Sequence, residues 1–380
     1  MHRLIHLFRK WKLRNYTPLI KILIHKDNLL YNLRAFQKAF PNIQIAPVLK
    51  SNAYGHGLNE IAKILNNENI PFLCVDSYYE ALALRVKGVK LPILTIGYTP
   101  IENLKRKPPK NISFSIISLE ELKQIAKTTS SPRSFHLKFD TGMHRHGIAP
   151  EELPEALRYI RQNKNIKIEG VFSHFADADT PNSELTKIQI ERWNRIAETI
   201  KKELPETKYF HLAATAGSAY SNEINTNTIR LGLGLYGMDR LQNRNLNLKP
   251  VLEMQTKISS IRKVAQGEPV GYSATFRAPH EMSIATIPVG YYEGIDRRLG
   301  NKGFVQIENT PCPIIGRVSM NITSIDVSSV PNAEIGTPVT AISKNPEDEN
   351  SIQNMARLAE TTPYVILVHL PAHLRREVVQ

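Results

Sequence analysis

Residues 46–57 read Ala-Pro-Val-Leu-Lys-Ser-Asn-Ala-Tyr-Gly-His-Gly, an apolar run that delivers one lysine, Lys50, into a short turn carrying a tyrosine, a histidine and two glycines. A lysine at the C-terminal end of a buried strand stands where α/β barrels gather their reactive groups. A desolvated amine there gives up its proton readily enough to form a Schiff base with an aldehyde cofactor. Outward from this stretch, from about Leu19 to Tyr236, short β-rich runs alternate with amphipathic stretches. The strand-like runs are Ile43–Lys50, Phe72–Asp76, Ile93–Gly97, Ile112–Ile116, Phe135–Asp140, Ile168–Ser173, Tyr209–Ala213 and Ile229–Leu235. Between them, Leu58–Leu65, Tyr78–Val86, Leu119–Ala126, Leu153–Gln162 and Ser183–Leu204 repeat apolar residues every three or four positions, the period of a helix with one buried face. Eight strand–helix units in roughly 220 residues predict a parallel sheet closed on itself, a (β/α)8 TIM-like barrel. An open doubly wound sheet is the alternative, but no Gly-x-Gly-x-x-Gly turn follows the first strand.

Past Gly237 the composition changes: Asn243, Asn245 and Asn247 lead into Lys249-Pro250. The runs Glu253–Val264, Met282–Tyr292, Gly303–Glu308, Pro313–Val327 and Pro338–Ser343 follow, separated by Gly, Pro and Asn turns, with one helical stretch at Ile352–Leu358. The expected organisation is a basic leader at 1–16, a barrel at 17–241 and a mostly β C-terminal domain at 242–380.

Lysine and arginine number 49 against 35 acids, a formal charge of +14. Arg3, Arg9, Lys10, Lys12 and Arg14 supply five of those charges with no acid among residues 1–16, which reads as a disordered or weakly helical tail able to touch anionic surfaces loosely. The rest of the excess is thinly spread and is not interleaved with aromatics as in single-strand binders, so nucleic-acid binding is not expected. Cys74 and Cys312 are too few for a disulfide scaffold or a thiolate metal site, which fits a reducing cytoplasm; no metal is expected. No apolar stretch reaches the ~18 residues of a membrane span, so no membrane insertion is expected.

The twelve residues 46–57 closely resemble the pyridoxal-phosphate-binding signature of alanine racemases, in which the lysine holds the cofactor covalently and the tyrosine four residues on binds its phosphate. By that resemblance Lys50 and Tyr54 take those roles, and pyridoxal 5'-phosphate is the cofactor. Further motifs match the family's. Ile229-Arg230-Leu231-Gly232-Leu233-Gly234-Leu235-Tyr236-Gly237 resembles Arg-Pro-Gly-x-x-x-Tyr-Gly, so Gly232 and Leu233 give phosphate-binding amides, and Leu231 replaces the usual proline. A phosphate at the end of the last barrel strand suits the free N–H groups of a helix start. Arg230 then faces the pyridine nitrogen; it cannot surrender its proton, so it mutes the ring as an electron sink and favours brief proton exchange at one carbon.

His211-Leu212-Ala213-Ala214-Thr215 resembles His-x-x-Asn-Ser, with Thr215 as a phosphate hydroxyl and Ala214 in place of Asn. Tyr364 matches the second phosphate-contacting tyrosine, although Val365 follows where glutamate is usual. Racemisation needs an acid/base group on each face of a planar intermediate. Lys50 serves one face, and Tyr272, in Val270-Gly271-Tyr272-Ser273-Ala274-Thr275-Phe276, serves the other from a partner subunit. His174 links Arg230 to that tyrosine.

The segment from Lys138 to Arg145 resembles a stretch whose lysine is often carbamylated, and Arg145 then contacts substrate carboxylate. Tyr291 and Arg297 inherit positions at the entrance, and Met320 offers a backbone group to substrate. Asn321 stands where the family has aspartate, which with Ala214 leaves serine or a broader range open beside alanine. The resemblance implies a homodimer with shared sites that interconverts L- and D-alanine and supplies D-alanine for peptidoglycan. A barrel decarboxylase would place an acid at the ring nitrogen and a cysteine in the second domain; Arg230 and Tyr272 speak against it, and Cys312 sits in the wrong motif. A non-catalytic cofactor carrier would resemble the barrel alone, and a β domain holding a second base speaks against that.

Overall fold

Valine, isoleucine, leucine and phenylalanine crowd the predicted runs on both strand faces, as they do when a parallel sheet is covered on both sides. A computed structural model describes residues 16–106, 108–238 and 246–380, and the chain divides into two units, Lys26–Val251 and Leu252–Val379, the latter joined by the described residues up to His25. The leader, bar Tyr16, and Asn243 and Asn245 at the expected boundary lie outside the described residues.

After β1 (Lys21–His25), the first unit holds β2 (Gln44–Pro47), β3 (Leu73–Val75), β4 (Ile93–Thr95), β5 (Ile112–Ile116), β6 (Arg133–Lys138), β7 (Ile166–Phe172), β8 (Tyr209–His211) and β9 (Thr228–Leu231). Strands β3 to β8 form one parallel sheet in chain order, and β2 pairs in parallel with β9. Leu49 N–H bonds Cys74 O at 2.7 Å and Arg230 N–H bonds Ala213 O at 3.0 Å, so both seams are stitched and the eight strands close into the expected barrel. That closure excludes the open sheet.

The helices are α1 (Lys26–Ala39), α2 (Leu58–Leu65), α3 (Tyr78–Val86), α4 (Ile101–Lys105), α5 (Leu119–Thr128), α6 (Leu153–Gln162) and α7 (Glu184–Glu203). Serine side chains fix three of their starts: Ser77, Ser118 and Ser183 each accept from a backbone N–H three residues on. The run expected to be strand to Leu235 ends at Leu231, because Gly232 breaks it and Leu233–Tyr236 form a 3-10 turn.

The second unit is mostly β, as expected. Its larger sheet takes the order β16-β15-β18-β10-β1-β19, from β10 (Leu252–Lys257), β15 (Phe304–Ile307), β16 (Thr310–Pro313), β18 (Pro338–Ile342) and β19 (Arg376–Val379). A smaller sheet joins β11 (Ser260–Val264), β14 (Met282–Ile287) and β17 (Thr323–Asp326), and the short strands β12 (Pro269–Val270) and β13 (Phe276–Arg277) pair with each other. Helices α8 (Ile352–Leu358) and α9 (Pro363–Val368) follow; α9 was not foreseen.

Two differences from the expected 17–241 span are informative. Strand β1 falls inside it yet pairs antiparallel with β10 and parallel with β19, and His25 Nε2 meets the Glu253 carboxylate at 3.1 Å. Conversely, Lys249 belongs with the barrel unit: the buried Asn32 amide donates to Leu235 O and Lys249 O and accepts from Lys249 N–H.

Candidate active site

The turn that carries Lys50 is left-handed. Ser51, Asn52, Ala53 and Tyr54 have φ of 56°, 55°, 53° and 52°, four consecutive non-glycine residues where each costs about 1–2 kcal/mol. Such a conformation persists only if its surroundings over-determine it. Ala53 N–H bonds Leu49 O at 2.8 Å, Asn52 Oδ1 accepts from Leu58 N–H at 2.9 Å, and His56 Nδ1 lies 3.0 Å from both Ala53 O and Tyr54 O. The His56 ring stacks on Tyr236 at 4.3 Å, and Tyr236 donates to Val48 O at 2.8 Å. The result fixes Lys50 at the end of β2 and aims Tyr54 back toward β9. The Lys50 side-chain amine makes no hydrogen bond or ion pair among the described residues.

Arg230, buried on β9, is the electrostatic centre of the barrel. Its Nη2 donates to Ser173 O at 2.7 Å, Leu212 O at 3.1 Å and His174 Nδ1 at 3.1 Å, while Nη1 donates to His211 Nδ1 at 2.9 Å and to His211 O. Only Nε–H is left without a partner among the described residues. Burial lowers the Arg230 pKa to about 10, so it stays cationic. Burial, then the Arg230 charge, pushes His174 down to about 3 and holds His211 well below its usual value. Both rings are neutral, and both present Nδ1 lone pairs to the guanidinium. His174 therefore carries its proton on Nε2.

Facing these groups is Lys138 at the end of β6. Burial first, then Arg145 and Arg230, lower its pKa to about 8. The rings of the strand layer separate the cations: Lys138 Nζ lies 5.7 Å and the Arg230 guanidinium 5.4 Å from the Phe172 ring centre. Asp140 does not neutralise them by an ion pair, since Gly142, Met143 and His144 N–H groups all donate to its Oδ1.

Beyond β9 lies a cradle of donors. Gly232 and Leu233 N–H have no partner among the described residues, and Thr215 Oγ1 accepts from Gly234 N–H at 3.1 Å, which leaves its own proton to give. A Cβ on Gly232 would sit 2.9 Å from Tyr54 Oη, so the missing side chain is the space between hydroxyl and loop. An amine, an unengaged guanidinium N–H and a cluster of two amides and two hydroxyls fit a phosphorylated aldehyde with a basic ring nitrogen.

Tyr272, Tyr291, Met320 and Tyr364 belong to the second unit. The first three ride on loops gathered around residues 316–321. Tyr291 N–H bonds Ser319 O at 3.0 Å, Tyr292 N–H bonds Met320 O at 2.9 Å, and a Cβ on Gly290 would lie 2.2 Å from Ser319 O. Gly316 packs on the Tyr272 loop, its missing Cβ 2.8 Å from Val270 O. Asn321 donates to the buried Glu293 carboxylate at 2.6 Å, tying two of these loops together. Tyr272 is 69% exposed and Met320 55%, large side chains left uncovered by their own unit. Tyr364 stands at the start of α9. Sequence reading missed His136, which bonds His211, although it shares a strand face with Lys138 in Ser-Phe-His-Leu-Lys-Phe.

The sequence profile of the alanine racemase N-terminal domain matches residues 24–240, and that of the alanine racemase C-terminal domain matches residues 251–378. Alanine racemase 2 of Bacillus subtilis is 32% identical over 366 residues, 93% of each chain. Alanine racemase 1 of Clostridium acetobutylicum is 30% identical over 360 residues, again 93% of each. Among solved structures, alanine racemase from E. faecalis superposes with a TM-score of 0.87 at 27% identity, covering 96% of this chain and 99% of its own. With both domain profiles matched in order over nearly all of its length, this chain belongs to the alanine racemase family of enzymes.

Proposed function

We propose that this chain is a pyridoxal 5'-phosphate-dependent alanine racemase that interconverts L- and D-alanine with Lys50 and Tyr272 as its two acid/base groups. The observation that carries the reading is the conjunction, on adjoining strand ends, of an unpaired lysine, a donor cradle and an arginine with one N–H to spare. Lys50 would take the aldehyde, Tyr54, Thr215, Gly232 N–H, Leu233 N–H and Tyr364 the phosphate, and Arg230 Nε–H the ring nitrogen. When bound, pyridoxal phosphate supplies the electron withdrawal that makes the amino acid's α-proton removable.

The residues then divide the work. Lys50 moves the proton on one face. Tyr272 of the partner subunit moves it on the other, and the exposed position of that side chain supports a site completed by a second copy. His174, neutral with its proton on Nε2, donates toward that tyrosine while accepting from Arg230. Because Arg230 keeps its proton, it would leave a pyridine nitrogen held there unprotonated, which would restrain side reactions. Arg145, Met320 and Tyr291 receive the substrate. Lys138, with a pKa drawn down to about 8, is in part a free amine at neutral pH and so open to carbamylation, which would turn one of several clustered cations into an anion beside Arg145.

Among the described residues no helix is long and apolar enough to cross a membrane, and no cluster suits a metal ion. We place the enzyme in the cytoplasm as a homodimer that supplies D-alanine for peptidoglycan, with no nucleic-acid partner. Borohydride reduction of the pyridoxal-phosphate-loaded protein followed by peptide mass analysis tests the assignment: the pyridoxyl adduct is expected on Lys50, and an adduct on another lysine would overturn it.

A further inference from the structure

We propose that His136 is a positioning residue for Arg230, acting through His211 by fixing which of that ring's nitrogens carries the proton. The inference rests on the reading of Arg230 as partner of the cofactor ring. An arginine only donates, so His211 Nδ1, 2.9 Å from Arg230 Nη1, must be an acceptor. A neutral His211 therefore holds its proton on Nε2, and Nε2 lies 2.8 Å from His136 Nδ1. His136 Nδ1 is the acceptor that this proton requires. Without it, a buried N–H would have no partner, and the ring would turn or change tautomer toward a new one, withdrawing Nδ1 or aiming an N–H at the guanidinium.

Three features show that the place of His136 is built. The β6–β7 register slips between Phe135 and His136, an irregularity that re-aims side chains. At the slip His136 faces Gly170, where a Cβ would lie 2.4 Å from His136 Nδ1, so only glycine admits the ring. The Tyr209 ring stacks on it at 5.8 Å and 12°, and the Phe72 ring meets it edge-on at 5.4 Å. Both histidines are fully buried, away from the solvent that could otherwise satisfy them.

Two variants separate positioning from packing. His136→Met fills the space without an acceptor, and His136→Gln restores one. In apo protein labelled with 15N-histidine, ring spectra should show His211 protonated at Nε2 in the wild type and in His136→Gln, with this pattern lost in His136→Met. In the reconstituted enzyme, kcat for alanine should fall at least tenfold in His136→Met, with KM within twofold, and return to within threefold of wild type in His136→Gln. Should His136→Met fail to fold, Gly170→Ala displaces the ring by steric conflict and is expected to reproduce the loss. An unchanged His211 pattern in His136→Met or Gly170→Ala, or equal kcat losses in the Met and Gln variants, would overturn the proposal. An inactive wild type with the expected ring spectra would instead overturn the functional reading and leave the His136–His211 link standing.

Discussion

Replacing Gly232 with alanine should weaken cofactor binding through one hydroxyl. The new Cβ would lie 2.9 Å from Tyr54 Oη, closer than side-chain carbons approach other atoms, and φ at Gly232 is −97°, so the conflict is steric rather than a left-handed strain. Something must move by several tenths of an ångström. The loop is tied down by Leu235 N–H to Gly232 O at 2.9 Å, and Tyr54 is buried with its ring 5.2 Å from Tyr236, so the hydroxyl tip yields most readily. A charged hydrogen bond to phosphate is worth about 1.5–3 kcal/mol, and about 1.4 kcal/mol is tenfold in affinity, so the dissociation constant for pyridoxal phosphate should rise roughly 10- to 150-fold. Fluorescence titration of apo protein measures it. Because the alanine acts by displacing Tyr54 Oη, Tyr54→Phe should cost a similar factor, and the double variant should be no weaker than the weaker single. A Gly232→Ala protein that binds within twofold of wild type, or losses that multiply in the double variant, would refute the reasoning.

Two further outcomes follow from the same geometry. Tyr272→Phe should bind cofactor normally and release the α-proton of one alanine enantiomer to solvent, yet lose racemisation; deuterium incorporation read by mass spectrometry beside chiral chromatography decides it, and full racemisation by this variant would remove Tyr272 from the mechanism. Acid should unfold the barrel early: His136, lowered to about 3, and His211 are neutral when folded but protonate when unfolded below about pH 6.5, so stability present above that pH is lost as pH falls, at up to about 3 kcal/mol per unit for the two rings. Urea midpoints at pH 7.5, 6.0 and 5.0 check this, and a flat profile below pH 6.5 would contradict it.

The barrel was legible because its signals are periodic. Helices α2, α3 and α6 begin and end where the apolar repeat does, and serine caps mark several starts. The strand Lys21–His25 was not, since a local pattern says that a segment is β but not which sheet takes it; its partners β10 and β19 lie more than 220 residues away in sequence. The left-handed turn at 51–54 was hidden for another reason. Ser-Asn-Ala-Tyr has no glycine to announce positive φ, and the bonds that hold it come from His56, Leu49 and Leu58. Motif resemblance picked out Lys50, Arg230, His174 and Thr215, which the barrel brings together on its strand ends. It passed over His136, whose importance appears only when the slip opposite Gly170 aims it at His211.

The central claim is the racemisation itself. Chiral chromatography of L-alanine incubated with pyridoxal-phosphate-loaded protein, run beside a Lys50→Ala control, tests it most directly. Equal amounts of L- and D-alanine at the end point with wild type, and unchanged L-alanine with the control, are predicted. Unchanged L-alanine from wild-type protein that visibly holds cofactor would contradict the account.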